Sequence, residues 1–99
     1  ADLSEARLRY ADLSNANLDG VKLSEANLHG ANLSEVDLSD SNLDGADLSG
    51  VKLNGACLNY ADMSTANLSG ADLKDATYNY GTKWPDGFDP IAAGAILKP

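Results

Sequence analysis

One histidine, one cysteine, and a spread of serines and carboxylates are the groups in this chain equipped for chemistry. His29, Ser49 and Asp47 supply the residue types of a Ser-His-Asp triad, in which the imidazole takes the serine proton and the carboxylate orients the ring. Glu5 and Glu25 are hard oxygen donors of the kind that bind calcium, although such an ion takes six or more oxygens. Cys57 is a potential redox thiol, but it needs a neighbouring cation or base to ionise. As the single cysteine, it excludes an intramolecular disulfide and a cysteine-based zinc site. Seven Lys plus Arg against fifteen Asp plus Glu give a net charge of -8. That balance argues against direct nucleic-acid binding, which needs a basic face for the phosphates. Whether any of these groups meet depends on the elements that carry them.

Those elements follow an unusual rule. Leucine stands at positions 3, 8, 13, 18, 23, 28, 33, 38, 43, 48, 53, 58, 68 and 73, and Met63 and Tyr78 fill the two remaining steps of five. Sixteen units therefore run from Ala1 to Tyr80. Two residues before each centre sits Ala, Val or Ser; the residue between is mostly Asp or Asn, and the two that follow are small or polar. A period of five suits neither standard element. On an α-helix each step turns by about 140°, so the leucines form no stripe. On a straight strand an odd period sends successive leucines to opposite faces. The conflict disappears if three extended residues point in, out and in, and the next two turn a corner. The chain then winds into a solenoid with Leu and Ala inside and three polar positions outside. Ninety-nine residues, 43% hydrophobic, make one such domain. The longest apolar stretch, Ile91 to Leu97, is too short to cross a bilayer.

The run A-[DN]-L-x-x, as in Ala11-Asp12-Leu13-Ser14-Asn15 and Ala31-Asn32-Leu33-Ser34-Glu35, resembles the pentapeptide-repeat proteins across residues 1–80. The resemblance implies an all-β fold: a right-handed quadrilateral β-helix with four units per coil and about four coils. The sequence adds faint support of its own. At the last position of each unit, spacing twenty gives four identities and spacing fifteen gives two. Residues 81–99 lie outside the repeat. Thr82 to Pro90 resembles a tail found on cyanobacterial members, and its aromatics read as a cap in which Tyr78, Trp84 and Phe88 cover the last coil. Asp89-Pro90 is an N-cap and first-position pair that predicts a short helix near 90–95, weakened by Gly94. The chain begins inside a repeat, so its first coil is expected to lack a cap. The expectation is a monomer, or a weak dimer through that coil's free strand edges.

With four sides per coil, the candidate groups can be assigned to walls. The first wall, from Asp2 and Glu5 to Asp62, is net -4; the second, with Arg7, Arg9 and Asp47, is +1; the third is -2 and the fourth -3. His29 falls directly over Ser49, yet no pocket or oxyanion donors are in prospect. Glu5 falls over Glu25 on a flat wall that offers no calcium cage. Cys57 faces outward on the fourth wall, opposite His29. Tyr60 and Tyr80 stack on that same wall and form the expected docking patch, because aromatics are favoured at interfaces.

No catalytic residues, metal or cofactor are expected. The predicted role is a non-catalytic interaction or scaffold module for an unidentified protein partner. The alternative is an acidic mimic of DNA that inhibits a topoisomerase such as gyrase, as some pentapeptide-repeat proteins do. One cysteine and no visible leader suit a bacterial cytoplasm, although a trimmed leader would leave the same chain.

Overall fold

The corner of each unit is a four-residue turn. Ala6 N–H donates to the Leu3 carbonyl (3.0 Å), and the same bond recurs at Ala11 to Leu8 (3.1 Å), Ala26 to Leu23 (3.0 Å) and onward. The third residue of the turn is left-handed at nearly every corner, with φ from 58° at Asp40 to 72° at Gly20. A positive φ there marks a type II turn, which favours Gly and Asn. Glu5, Tyr10, Glu25, Glu35 and Tyr60 also adopt it, at the steric cost of a Cβ. Thr65 does not, since a β-branched side chain resists that region, but Ala66 N–H still reaches the Met63 carbonyl at 3.0 Å.

The Asp or Asn beside each centre has a local task. Its side-chain oxygen accepts the backbone N–H two residues on, as from Ser4 to Asp2 and Asp44 to Asn42 (both 3.0 Å) and from Lys74 to Asp72 (3.1 Å). Lys22 and Lys52 replace that side chain at two corners without removing the turn's backbone bond. The repeat's preference for Asp and Asn is therefore conformational as well as solubilising.

The computed structural model describes residues 2–98; Ala1, the inner small residue of the first unit, and Pro99 lie outside that range. Parallel bridges join residues twenty apart, in columns such as Arg7, Asn27, Asp47 and Asn67. Each rung uses two bonds: between Arg7 and Asn27, Asn27 N–H donates to Ala6 O (2.9 Å) and Leu8 N–H donates to Asn27 O (2.8 Å). Leucines 23 to 58 are fully buried and stack along the interior with Val21, Ala46 and Val51. One polar residue shares that core: Ser41 occupies an inner corner, and its hydroxyl has no partner. Leu3, Leu8, Leu13 and Leu18 are half-buried, because among the described residues no coil covers them from the other side.

At the C-terminal end the tail adds partial rungs. One extra residue between Asn79 and Lys83 resets the register, so Lys83 pairs with Asp62 across twenty-one positions. Strand β1 (Thr77–Tyr78) pairs in parallel with β2 (Ile96–Leu97). Between them, the Trp84 ring meets Tyr78 edge-on at 5.2 Å and stacks on Phe88 at 5.3 Å. The helix expected near 90–95 is absent, and residues 90–94 form turns instead. Its start signal is present: the Asp89 carboxylate accepts Ala92 N–H (3.1 Å). Its stop signal follows too soon. Gly94 is left-handed at φ 98°, and Ala95 N–H closes back on Pro90 O (3.0 Å), so start and stop leave room for a single turn. No helix among the described residues is long and apolar enough to cross a membrane.

Candidate functional site

On the second wall the fold brings His29, Ser49 and Asp47 together, in the wrong order for catalysis. Ser49 Oγ donates to Asp47 Oδ1 (2.5 Å), leaving its lone pairs to accept from His29 Nδ1 (2.7 Å). In a nucleophilic triad the serine proton points to the histidine. Here it is committed to the carboxylate, and the imidazole is the donor. The same hydroxyl is the main reason the Asp47 carboxyl is held below its ordinary value, with Ser49 N–H second and the charges of His29 and Arg9 further down. Tyr10 stands edge-on to His29 at 5.4 Å, with the Arg9 guanidinium 5.5 Å from its ring centre. The cluster is a polar and aromatic wall feature on open surface.

The remaining reactive groups are likewise held by structural partners. Cys57 is half-buried in the column Asp37, Cys57, Thr77, with its sulfur 3.2 Å from Ser39 Oγ. The Glu25 carboxylate folds over Gly45, where a Cβ would collide with it. Among the described residues no cluster of three or more His, Cys, Asp or Glu is placed to hold a metal ion.

The expected docking tyrosines are the two most exposed parts of the fourth wall's C-terminal corner, Tyr60 at 60% and Tyr80 at 79%. They are not related as a simple stack. The Tyr60 ring lies over Gly81, because the inserted residue moves Tyr80 out of the column. Asn79 Oδ1 fixes that corner by accepting both Tyr60 N–H and Gly81 N–H (3.1 Å each). Tyr10, exposed at 66%, is a third such ring that sequence reasoning passed over. It lies over Gly30 in the same way. A usable signal was present: a large residue at a corner followed twenty positions later by glycine, as also in Glu25–Gly45 and Glu35–Gly55.

The described residues also form an open cleft of about 490 Å³ at the C-terminal end. Thr65 to Ser69 make one wall, and Pro85 to Phe88 make the other.

Four-residue corners recurring every five residues, side-chain-capped turns and a twenty-residue parallel ladder define a β-solenoid built of pentapeptides. The chain belongs to the pentapeptide repeat family, whose model of tandem repeats matches residues 1–40, 31–70 and 46–77. It is similar to a pentapeptide repeat protein of known crystal structure from the cyanobacterium Nostoc PCC 7120. The two are 43% identical with a TM-score of 0.97, over 99% of this chain and 81% of that one. It is also similar to the pentapeptide repeat protein Rfr23 from the cyanobacterium Cyanothece 51142, at 35% identity and a TM-score of 0.71. That match covers 84% of this chain and 53% of Rfr23, so the chain spans about half of it. QnrB1, a plasmid-mediated fluoroquinolone resistance protein, shares the fold at 18% identity and a TM-score of 0.53, over 98% of this chain and 60% of that one. No curated protein matches the sequence.

Proposed function

We propose that this protein is a non-catalytic interaction module whose flat polar walls present exposed tyrosines to a protein partner. In this reading residues 1–80 wind as a right-handed solenoid of four coils, as the family resemblance implies, and residues 81–99 cap it. The observation that carries the proposal is the exposure of Tyr60 and Tyr80, at 60% and 79%, on a wall otherwise built of turn-forming polar residues. Large rings left in water contribute nothing to the core, whereas amphipathic rings at the centre of an interface supply much of its energy. The reversed wiring of His29, Ser49 and Asp47 supports a structural rather than catalytic use of those groups. The unpaired Cys57 suits a reducing compartment such as a bacterial cytoplasm.

The test is affinity capture from cyanobacterial lysate at low and high salt, with wild-type protein beside Tyr60→Ala and Tyr80→Ala. A stoichiometric partner that survives high salt and is lost with either alanine is the expected result. Retention by both variants would remove the patch from the reading. Half-burial of Leu3 to Leu18 leaves weak self-association through the first coil as the oligomeric expectation, which Leu3→Lys should abolish in sedimentation experiments.

The net charge of -8 favours a second reading, inhibition of a topoisomerase by mimicry of DNA. Against it stand the columns of charge. On the first wall the column Asp2, Lys22, Asn42, Asp62 and Lys83 mixes both signs and a neutral residue instead of forming an acidic ridge. The described chain measures 30 × 26 × 22 Å, less than one duplex turn of about 34 Å. A gyrase supercoiling assay at low salt decides this reading, since inhibition there that collapses at high salt is what mimicry requires.

A further inference from the structure

The ladder ends unevenly. The tail supplies a rung above Ala61 to Met63, where Lys83 N–H donates to Ala61 O (2.9 Å) and Met63 N–H to Lys83 O (2.8 Å). It supplies another above Ala76 to Tyr78, where Ile96 N–H donates to Ala76 O and Lys98 N–H to Tyr78 O (both 2.7 Å). On the third wall Gly94 lies against Lys74, and its carbonyl takes Asp75 N–H (3.0 Å). Among the described residues neither the second nor the third wall receives a strand: on the third, Leu73 N–H and Ala71 O stay unpaired beside the Gly94 contact, and the second gains no backbone bond from the tail at all. Among the described residues, Leu68 N–H, Gly70 N–H and Ala66 O have no hydrogen-bond partner. These are the groups that pair with the next coil everywhere below: Leu48 N–H with Asn67 O, Gly50 N–H with Ser69 O, and Asn67 N–H with Ala46 O. Beside this open edge runs the 490 Å³ cleft, whose far wall is Pro85 to Phe88.

We infer that the cleft between Ala66–Ser69 and Pro85–Phe88 binds an extended peptide segment of a partner protein, added as a parallel β-strand. A sheet edge with unmet N–H and C=O groups is a template for strand addition, in which backbone bonds supply affinity and alternate side chains supply specificity. The occupant's chemistry can be read from the rungs that are filled. Ala95-Ile96-Leu97 places a small residue and a large apolar one on either side of an outward residue. Thr82-Lys83-Trp84 does the same, with its lysine over Asp62, whose carboxyl is held down chiefly by the Ser64 hydroxyl and N–H and, less, by that charge. The fitting peptide therefore reads small, basic, large apolar. Its central N–H donates to Ala66 O, and its central C=O accepts from Leu68 N–H. Its large side chain packs on Pro85 and Phe88, and its basic group faces Asp86 on the rim. Three residues at about 3.3 Å each need roughly 10 Å of edge, the length of a single rung. This site is separate from the tyrosine wall, so either can fail without the other.

The experiment titrates the peptide acetyl-Gly-Ala-Lys-Leu-Gly-amide into the protein, following the amide resonances of Leu68 and Gly70 and the fluorescence of the single tryptophan, Trp84. Saturable amide shifts centred on those two residues are expected. N-methylation at the peptide's lysine, which deletes the N–H meant for Ala66 O, should weaken binding at least tenfold. Asp86→Lys should weaken the lysine peptide several-fold and improve one with glutamate in its place, while Tyr80→Ala should change neither. The absence of saturable shifts up to millimolar peptide would overturn the inference. So would equal binding by the N-methylated peptide, because the cleft would then hold side chains without extending the ladder.

Discussion

At the scale of single residues, corners and acids set the behaviour. Gly50 has φ +66° and room for a methyl group, the nearest atom to an added Cβ being His29 Cε1 at 3.7 Å. Gly50→Ala should therefore cost only the left-handed penalty, about 1 kcal/mol. Gly30 has φ +68° but carries the Tyr10 ring 2.5 Å from where a Cβ would stand. Gly30→Ala should destabilise more than Gly50→Ala in urea unfolding, and Tyr10→Ala in the same chain should cancel the excess. The acids predict a pH response. Hydroxyl and backbone N–H donors hold Asp2, Asp12, Asp37, Asp47 and Asp62 below the ordinary aspartate value, and the Asn54 amide with Lys74 N–H does so for Asp72. A carboxyl whose value is lower folded than unfolded lends stability that is complete above the unfolded value of about 4. That stability is lost as pH falls through the folded value. The urea midpoint should stay level from pH 7 to about 5 and drop below about 4. Asp47→Asn keeps an acceptor for Ser49 and should make that drop shallower.

At the scale of the repeating rung, the interior has room for one large side chain per unit. Ala46 is 1% exposed within the stacked leucines, so Ala46→Leu should overpack the tube and lower stability by about 1–3 kcal/mol in thermal unfolding. Ser41 is the opposite case. It takes a position filled by Val21 one coil earlier and Ala61 one coil later, and its buried hydroxyl has no partner. Removing an unsatisfied polar group recovers its desolvation cost, so Ser41→Ala should raise stability by about 1 kcal/mol. An unchanged or lowered melting temperature would show that the hydroxyl is satisfied in solution. The side-chain-capped corner explains the composition of the outward positions. Asp and Asn are interchangeable beside the centre because either offers an oxygen to the N–H two residues on. Much of the acidity is thus a by-product of turn formation, which weakens its value as a sign of a cationic or nucleic-acid-binding partner.

At the scale of the whole molecule, the two ends of the solenoid are unlike. Leu3 to Leu18 are half-buried, whereas Met63 and Leu73 are fully buried under the tail. Trp84 ties that cover together through Tyr78 and Phe88. Trp84→Ala should cost about 3 kcal/mol and raise amide exchange in the last coil ahead of the middle ones. Uniform exchange along the chain would instead mean that the solenoid opens as one unit, contrary to nearest-neighbour stacking. The tail secures the first and fourth walls with strands and leaves ladder groups of the second and third unpaired, so stability and the proposed peptide recognition at the second wall compete for the same backbone groups.

The period of five determined a great deal by itself. It excluded helix and flat sheet, put Leu and Ala inside and Asp and Asn outside, and marked the break at residue 81, because those assignments depend only on local alternation and turn chemistry. The resemblance of A-[DN]-L-x-x supplied the coil of four units, which the i to i+20 bridges match. The tertiary structure decided whatever depends on which groups meet across coils. Asp89-Pro90 signalled a helix, but Ala95 closing on Pro90 around Gly94 limits it to one turn. Tyr60 and Tyr80 sit twenty apart in sequence, but the residue inserted before Lys83 puts Gly81 beneath Tyr60. His29, Ser49 and Asp47 share a wall as their spacing implied, yet the direction of the Ser49 proton is set by the neighbouring carboxylate. A hydrogen bond's direction, a one-residue register shift and an unfilled rung are three-dimensional facts, because each depends on partners that the repeat unit does not contain.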